Sequence, residues 1–330
     1  MQYSSRWTQA NAEFIPLIEE AFAQQRRERP KRYVSYLAEP GIADFHRDRL
    51  IKQFKEKPDD PGFKMLINDD KLLALAGIEK SDWHSGHFRT PYYKIQPFFC
   101  FTDDLEEIEQ VTNKLNELMT KKGAVYTTRA EASQHTLSYH IGRSGFVQVG
   151  TSVRMVFDQL DIKMIDSPQS QNYDSFRIRP YLQQDLPKLK DIIRRSHQYS
   201  HFFCEMRFDP EKTRDLFAEW MERCAKSSAF HILIAERDGE PIGFCSALVQ
   251  KSLVPYVKRA IGIIDFIAVD SNIQGKGIGR ALLHAAFYWF APQTNLIELR
   301  TMADNLRAIR FYEKNGFRML SADHHFHRWT

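Results

Sequence analysis

Cysteine is scarce in this 330-residue chain: four residues, Cys100, Cys204, Cys224 and Cys245, with no CxxC pair among them. That excludes a disulfide scaffold and a thiolate zinc module, and points to reduced, buried thiols in a cytoplasmic protein. No apolar run nears the ~18 residues that a membrane helix needs. The first twenty residues carry charge early and lack the apolar core of a signal peptide. Glycine (15) and proline (14) are too few for a collagen or a low-complexity chain. A strong charge of one sign is missing too: the formal net charge of +4 is too small to argue for nucleic-acid binding.

What is present fits an ordinary globular chain, 43% hydrophobic and 27% charged, long enough for two domains at ~150 residues each. The charge excess lies in the second half: residues 1–165 balance 23 Lys and Arg against 23 Asp and Glu, whereas residues 166–330 carry 23 against 19. The basic cluster Arg26 to Arg32 reads as a solvated helix end. Asp161 to Ser175 is polar, holds Pro168, has no apolar period and reads as a linker. It separates a first domain, 1–165, from a second, 172–330. The two contain an internal resemblance at an offset of 171. Arg129 meets Arg300, Ala132 meets Ala303, Gly145 meets Gly316 and Phe146 meets Phe317. Both stretches read as strand end, short helix, glycine stop and new strand, which predicts a tandem duplication.

The second half reads as a mixed α/β sheet with helices on both faces. Phe176–Tyr181, Phe230–Glu236, Pro241–Val249, Gly262–Val269, Leu296–Met302 and Phe317 onward are expected strands, with a hairpin at Asp238-Gly239. Asp185–His197, a helix opening at Asp209-Pro210, Gly279–Phe290 and Asn305–Lys314 are expected helices. The Asp209 helix carries Leu216, Phe217, Trp220, Met221 and Cys224 on one face.

The chemistry concentrates between Ile264 and Leu283. A buried strand ends at Val269. After a short loop come Gln274, Gly275, Lys276, Gly277, Ile278 and Gly279, and a helix begins beside Arg280. Glycines permit positive φ, the new helix leaves its first amides unpaired, and its dipole is positive there. Lys276 and Arg280 add charge, so the turn is a candidate anion site. It is neither a P-loop, which needs GxxxxGK[ST], nor a dinucleotide GxGxxG loop, since Arg280 stands where a small residue is required. The spacing resembles the [QR]xxGxG loop of the GNAT superfamily of acyl-coenzyme A N-acyltransferases, with Gln274, Gly277 and Gly279 at its defining positions. Downstream, Asn305, Ala308, Phe311, Tyr312, Gly316 and Phe317 resemble that superfamily's NxxAxxFYxxxGF signature. Asn305, Ala308 and Tyr312 are spaced by three and four, so a helix would place them on one face.

The resemblance covers roughly residues 175–330 and implies tandem GNAT-type domains, the second one catalytic and binding acetyl-CoA. It implies cofactor contacts from Gln274 to Arg280, from Asn305 and Ala308, and from the backbone at Ile267, Ala268 and Val269, whose N–H groups would meet the oxyanion. It makes Tyr312 the acid that protonates the departing thiolate, suited by a pKa near ~10. Asp265 lies inside an apolar strand, where a carboxylate is costly unless paired. By alternation it faces the side of Ile267 and Val269. It is a candidate base or water holder, or else a structural hydrogen-bonding group; Glu298 is a second candidate base.

Within the superfamily, the stretch 196–227, the ending HHFHRW and Asp82 to Phe88 are similar to TDP-fucosamine acetyltransferases. The last of these departs from their WDSxxF segment, with His84 in place of the acidic residue. That likeness implies substrate contacts at Tyr199, Phe202 and Arg207 and an acceptor that is a small amine, such as a nucleotide-linked amino sugar. The alternative function is a non-catalytic acyl-CoA sensor. His197 with His201, and the trio His324, His325 and His327, lack a completing Cys or carboxylate, so no metal is expected. No nucleic-acid or membrane partner is expected, and a homodimer is left open. The first domain has CFTDDLEEIEQ where the loop would be, and Ile141 and Gln134 where Tyr312 and Asn305 would be. It reads as a degenerate copy without a cofactor loop.

Overall fold

A computed structural model describes residues 6–28, 40–59, 62–158 and 175–330. The basic cluster at 26–32 and nearly all of the expected linker at 161–175 lie outside its described side chains. Two compact units emerge.

The first unit comprises residues up to Thr151 together with Ser321–Thr330. Its order is β1 (Trp7–Gln9), α1 (Ile15–Glu28), α2 (Pro40–Glu56), β2 (Phe63–Asn68), β3 (Lys71–Lys80), α3 (Asp82–Phe88), β4 (Tyr92–Cys100), α4 (Leu105–Asn113), β5 (Val125–Glu131) and α5 (His135–Arg143), leading into β6 (Val147–Phe157). Strands β1 to β4 pair antiparallel in sequence order, and β4 runs parallel to β5. One layer buries Ile18, Phe22, Leu50 and Phe54 against Met65 and Leu75. The other buries Ile108, Leu115, Leu137 and Ile141 against Ile95 and Tyr126.

The second unit is Ser152–Leu320. Its order is β7 (Arg177–Pro180), α6 (Leu186–Ser196), α7 (His201–Cys204), α8 (Pro210–Lys226), β8 (Phe230–Arg237), β9 (Glu240–Gln250), α9 (Val254–Val257), β10 (Ile261–Val269), α10 (Ile278–Phe290), β11 (Ile297–Met302) and α11 (Leu306–Lys314), leading into β12 (Arg318–Trp329). The expected hairpin joins β8 and β9, with Asp238 and Gly239 both at positive φ. Asp209 caps α8 by accepting from the Glu211 amide at 2.8 Å, ahead of Pro210 at the first helical position. Leu189, Ile192 and Ile193 of α6 and Ala218, Met221 and Cys224 of α8 cover one face of the sheet at Ile232, Ile234 and Phe244. Helix α10 covers the other. Gly262 accommodates the Phe290 ring there, since a Cβ would lie 2.7 Å from it.

The internal resemblance corresponds to repeated structure. Helices α5 and α11 begin and end at the same offset of 171, and each stops at a glycine with positive φ, Gly145 and Gly316. The units nonetheless divide the chain differently from a cut at 165/172. Residues Ser152–Phe157 of β6 pair with β11 in the second unit. Residues Asp323–Trp329 of β12 pair with β5 in the first. Each of these strands is long enough for its latter half to complete the sheet of the other unit.

Candidate active site

In the second unit, β10 runs parallel to β11 only while Gly262–Ile264 face Ile297–Leu299. Its other edge stays paired with β9 as far as Val269. The chain from Asp265 to Val269 is therefore central in the sheet yet partly exposed. Successive strand amides point to opposite edges. The Asp270 amide donates to Ile242 O on β9 at 3.0 Å and the Phe266 amide to Ser246 Oγ at 3.2 Å. The amides of Ile267 and Val269 consequently face the gap that β11 has left.

The loop that follows is built to leave amides open. Asp270 caps a short turn through the Asn272 amide, and Gln274 folds back so that Nε2 donates to Val269 O at 3.0 Å. Gly275 and Gly277 have φ of +84° and +79°, where a side chain is strained, although a Cβ on either would meet nothing within 4 Å. Gly277 is the N-cap of α10 and brings no capping side chain. The first intrahelical bond runs from the Ala281 amide to Gly277 O at 3.0 Å. The amides of Ile278, Gly279 and Arg280 thus have no helical acceptor. Lys276 and Arg280 are exposed beside them.

Asn305 caps α11. Its Oδ1 accepts from the Ala308 amide at 3.2 Å and its Nδ2 donates to Thr301 Oγ1 at 3.2 Å. Its polar atoms thus serve the helix start, and Ala308 is half-buried on the next turn. Tyr312 is buried, edge-on to Phe311 (5.2 Å) and Phe317 (5.6 Å). Phe311 in turn lies where it would touch a Cβ on Gly279, at 3.7 Å. Burial pushes the Tyr312 hydroxyl above its ordinary range, with a further push from the Cys245 thiol, so it holds its proton at neutral pH. Cys245 is itself pushed up to about 12 by burial and by the charge of Asp265.

Asp265 does not share the side of Ile267 and Val269. A bulge between Ile264 and Phe266 interrupts the alternation. Val269 extends toward Gly279 on α10, whereas Phe266 and Ala268 pack with α6 and α8. Asp265 turns to α8: Oδ2 accepts from Trp220 Nε1 at 2.9 Å and from Cys224 Sγ at 3.4 Å, and Ser246 also bonds to the carboxylate. Burial raises its pKa against these bonds. Tyr312 and Asp265 thus approach β10 from opposite faces. Glu298 is engaged by Arg154 at 3.3 Å.

Of the expected substrate contacts, Phe202 is buried against Phe208 and Phe217, while Tyr199 and Arg207 are exposed. The sequence reading missed the aromatic shell beneath them, in which His197 lies against Phe217 and Phe266. The only signal was the spacing of four between His197 and His201, a metal-pair spacing that is set aside for want of a completing ligand and does not point to packing. Among the described residues, no three of His, Cys, Asp or Glu gather as metal ligands. Nor is any described helix long and apolar enough to cross a membrane. Cys204 is exposed, unlike the other three cysteines.

Residues 187–317 match the Acetyltransferase (GNAT) family. The spore coat polysaccharide biosynthesis protein SpsD of Bacillus subtilis (strain 168) is 26% identical over 192 residues, which is 57% of this chain and 63% of that protein. The match therefore stops short of two thirds of that relative's length. A GCN5-related N-acetyltransferase from Sphaerobacter thermophilus superposes with a TM-score of 0.60 at 13% identity, over 99% of this chain and 95% of its own. A tandem GNAT protein from the clavulanic acid biosynthesis pathway superposes at 0.53 with 10% identity, over 98% of each chain. These two likenesses are of fold.

Proposed function

We infer that this chain, which carries a GNAT-family acetyltransferase domain in its second unit, transfers the acetyl group of acetyl-CoA to the primary amine of a small molecule. The observation that carries this reading is the parting of β10 from β11. It leaves the Ile267 and Val269 amides open between the uncapped start of α10 and the buried, protonated Tyr312. Acetyl-CoA supplies a thioester carbonyl and a thiolate leaving group. The residues fit it: the Ile278, Gly279 and Arg280 amides, with Lys276 and Arg280, suit its pyrophosphate. Gln274 holds the loop to Val269 O. The Ile267 and Val269 amides are placed to stabilise charge developing on the carbonyl oxygen. Tyr312 is placed to protonate the sulfur. Asp265, tied to Trp220, Cys224 and Ser246, fixes the bulge and stands on the α8 side, where an amine would come in.

The finer reading is an amino sugar, such as a nucleotide-linked one. Support comes from the likeness of residues 196–227 to TDP-fucosamine acetyltransferases and from a relative named for polysaccharide biosynthesis. The first unit serves as a copy without a cofactor site. The test is thiol release from acetyl-CoA across amino sugars, amino acids, polyamines and peptides. A primary amine should raise the rate well above background hydrolysis, with sugars leading. If no amine does so while acetyl-CoA binds, transfer is the wrong activity.

A further inference from the structure

Among the described residues of the second unit, His197 Nε2 is one of the side-chain polar atoms enclosed without a hydrogen-bond partner. His197 follows the last turn of α6; its amide donates to Ile193 O at 2.9 Å, and its backbone then turns extended. Its ring lies 4.1 Å from that of Phe217, 5.4 Å from Phe266 and 6.5 Å from Phe203, centroid to centroid. Its Nε2 is closed off from solvent and has no hydrogen-bond partner. Leaving such an atom unpaired destabilises a fold, and a phenylalanine would fill the same shell without that penalty. The position is also particular. Phe266 sits on β10 between Asp265 and Ile267, so the imidazole lies behind the strand whose amides open into the gap.

We propose that His197 is the positioning residue for the acceptor: its Nε2 accepts a hydrogen bond from the nitrogen of the incoming amine, seated against Phe217 and Phe266. This rests on the acetyltransferase reading above. The chemistry of the shell selects the ligand. Aromatic faces attract an ammonium or amine and offer nothing to a carboxylate or phosphate. An imidazole lone pair likewise suits an N–H donor. Burial lowers the pKa of His197 to about 4, so the ring stays neutral and, with its hydrogen on Nδ1, keeps the Nε2 lone pair at neutral pH. Phe203 closes the shell from α7, a helix of four residues, and it is only half-buried, so the amine would enter past this ring.

The test compares His197→Phe and His197→Gln with the unaltered chain, using the amine that gives the fastest thiol release. His197→Phe should melt at the same or a higher temperature and bind acetyl-CoA unchanged. Its KM for the amine should rise about tenfold, the worth of one hydrogen bond. Glutamine, which restores an acceptor atom, should recover part of that. Wild-type KM and kcat in a folded His197→Phe variant would reduce the histidine to packing. So would a loss confined to acetyl-CoA affinity. A second arm needs no turnover: the ¹⁵N resonance of His197 Nε2 should shift on addition of excess methylamine, and an unmoved resonance overturns the proposal. A shift without acetylation of any amine would instead overturn the acetyltransferase reading and leave the histidine site standing.

Discussion

The two units part their strands alike and differ in what they leave open. Helices α1 and α2 in the first, and α6, α7 and α8 in the second, precede an antiparallel run of strands whose last member is parallel to its neighbour for only three residues, Tyr92–Lys94 with Val125–Thr127 in one and Gly262–Ile264 with Ile297–Leu299 in the other. The strand pairing is therefore alike, and the side chains at the gap differ. In the first unit, Thr128 Oγ1 donates to Ile95 O at 3.1 Å and Arg129 Nη2 to Gln96 Oε1 at 3.3 Å, so β5 is bridged back to β4. The following helix is capped by Asp104, whose carboxylate accepts from the Glu106 and Glu107 amides at 3.0 Å each. The amides that could meet a phosphate are already satisfied by an anion of the protein itself. In the second unit a glycine occupies the cap, and Glu298 pairs with Arg154 at 3.3 Å. The units thus differ at the gap and at the helix start in a handful of side chains, not in how the strands pair.

The exchange of strands supplies the largest expected effect. A fragment of residues 172–330 lacks Ser152–Phe157, the partner of β11, and with them Phe157, which stacks on Phe287 at 4.9 Å and lies against Phe317. It also strands the end of β12 without β5. Such a fragment should show neither a cooperative melt nor calorimetric binding of acetyl-CoA. Wild-type affinity in the fragment would mean the exchanged strands are dispensable.

Next comes Tyr312→Phe, which brings its position closer to Ile141 in the first unit by removing the hydroxyl but keeping the ring. General-acid catalysis contributes ~10²–10⁴ in rate, so kcat should fall within that range while acetyl-CoA affinity holds. Unchanged kcat, measured where chemistry limits turnover, would assign the proton to water or another group. A fall in affinity instead would make the hydroxyl a binding group.

Gly277→Asp transplants the cap of the first unit onto the second. The carboxylate would satisfy the amides and repel the pyrophosphate, and the residue would be strained at positive φ. Acetyl-CoA affinity should weaken by at least about 2 kcal/mol. Titration calorimetry on the folded variant decides; unchanged affinity would dissociate the loop from the cofactor.

The reverse change, Asp104→Gly, should have the smallest effect. It uncaps α4, for which a few tenths of a kcal/mol to about 1 kcal/mol of stability is the usual loss, visible in denaturant melts. It should create no coenzyme A site, because the bridged gap and Ile141 remain. Binding gained by the first unit in an exchange footprint would show that the cap alone had silenced it.

Much of this could be read along the chain, because it is local. The cap at Asp209, the turn at Asp238-Gly239 and the glycines at 275, 277 and 316 each act within a few residues. So do the apolar periods that place α8 and α10. The repeat offset of 171 carries over to helix boundaries for the same reason. What failed were inferences that ran through the strand. Alternation placed Asp265 beside Ile267, and one bulged residue reversed it, since the period of two survives only where the ladder is unbroken. The bonds of the Asn305 side chain to the Ala308 amide and the Thr301 hydroxyl likewise join the helix start to the preceding strand, which motif spacing does not show.

The sequence by itself determined the main strands and helices of the second unit, the open helix start after Gly277, the acidic, glycine-free stretch of the first unit and the tyrosine in the second. These depend on backbone conformation and on residues adjacent in the chain. Only the tertiary structure decided which strand completes which sheet, that Asp265 is held by Trp220 and Cys224, and that His197 is enclosed by three phenylalanines. Those outcomes join residues as many as 209 positions apart, as Thr330 joins Lys121. Pairing over such separations is set by which edges and faces meet as the chain packs, and no local period encodes it.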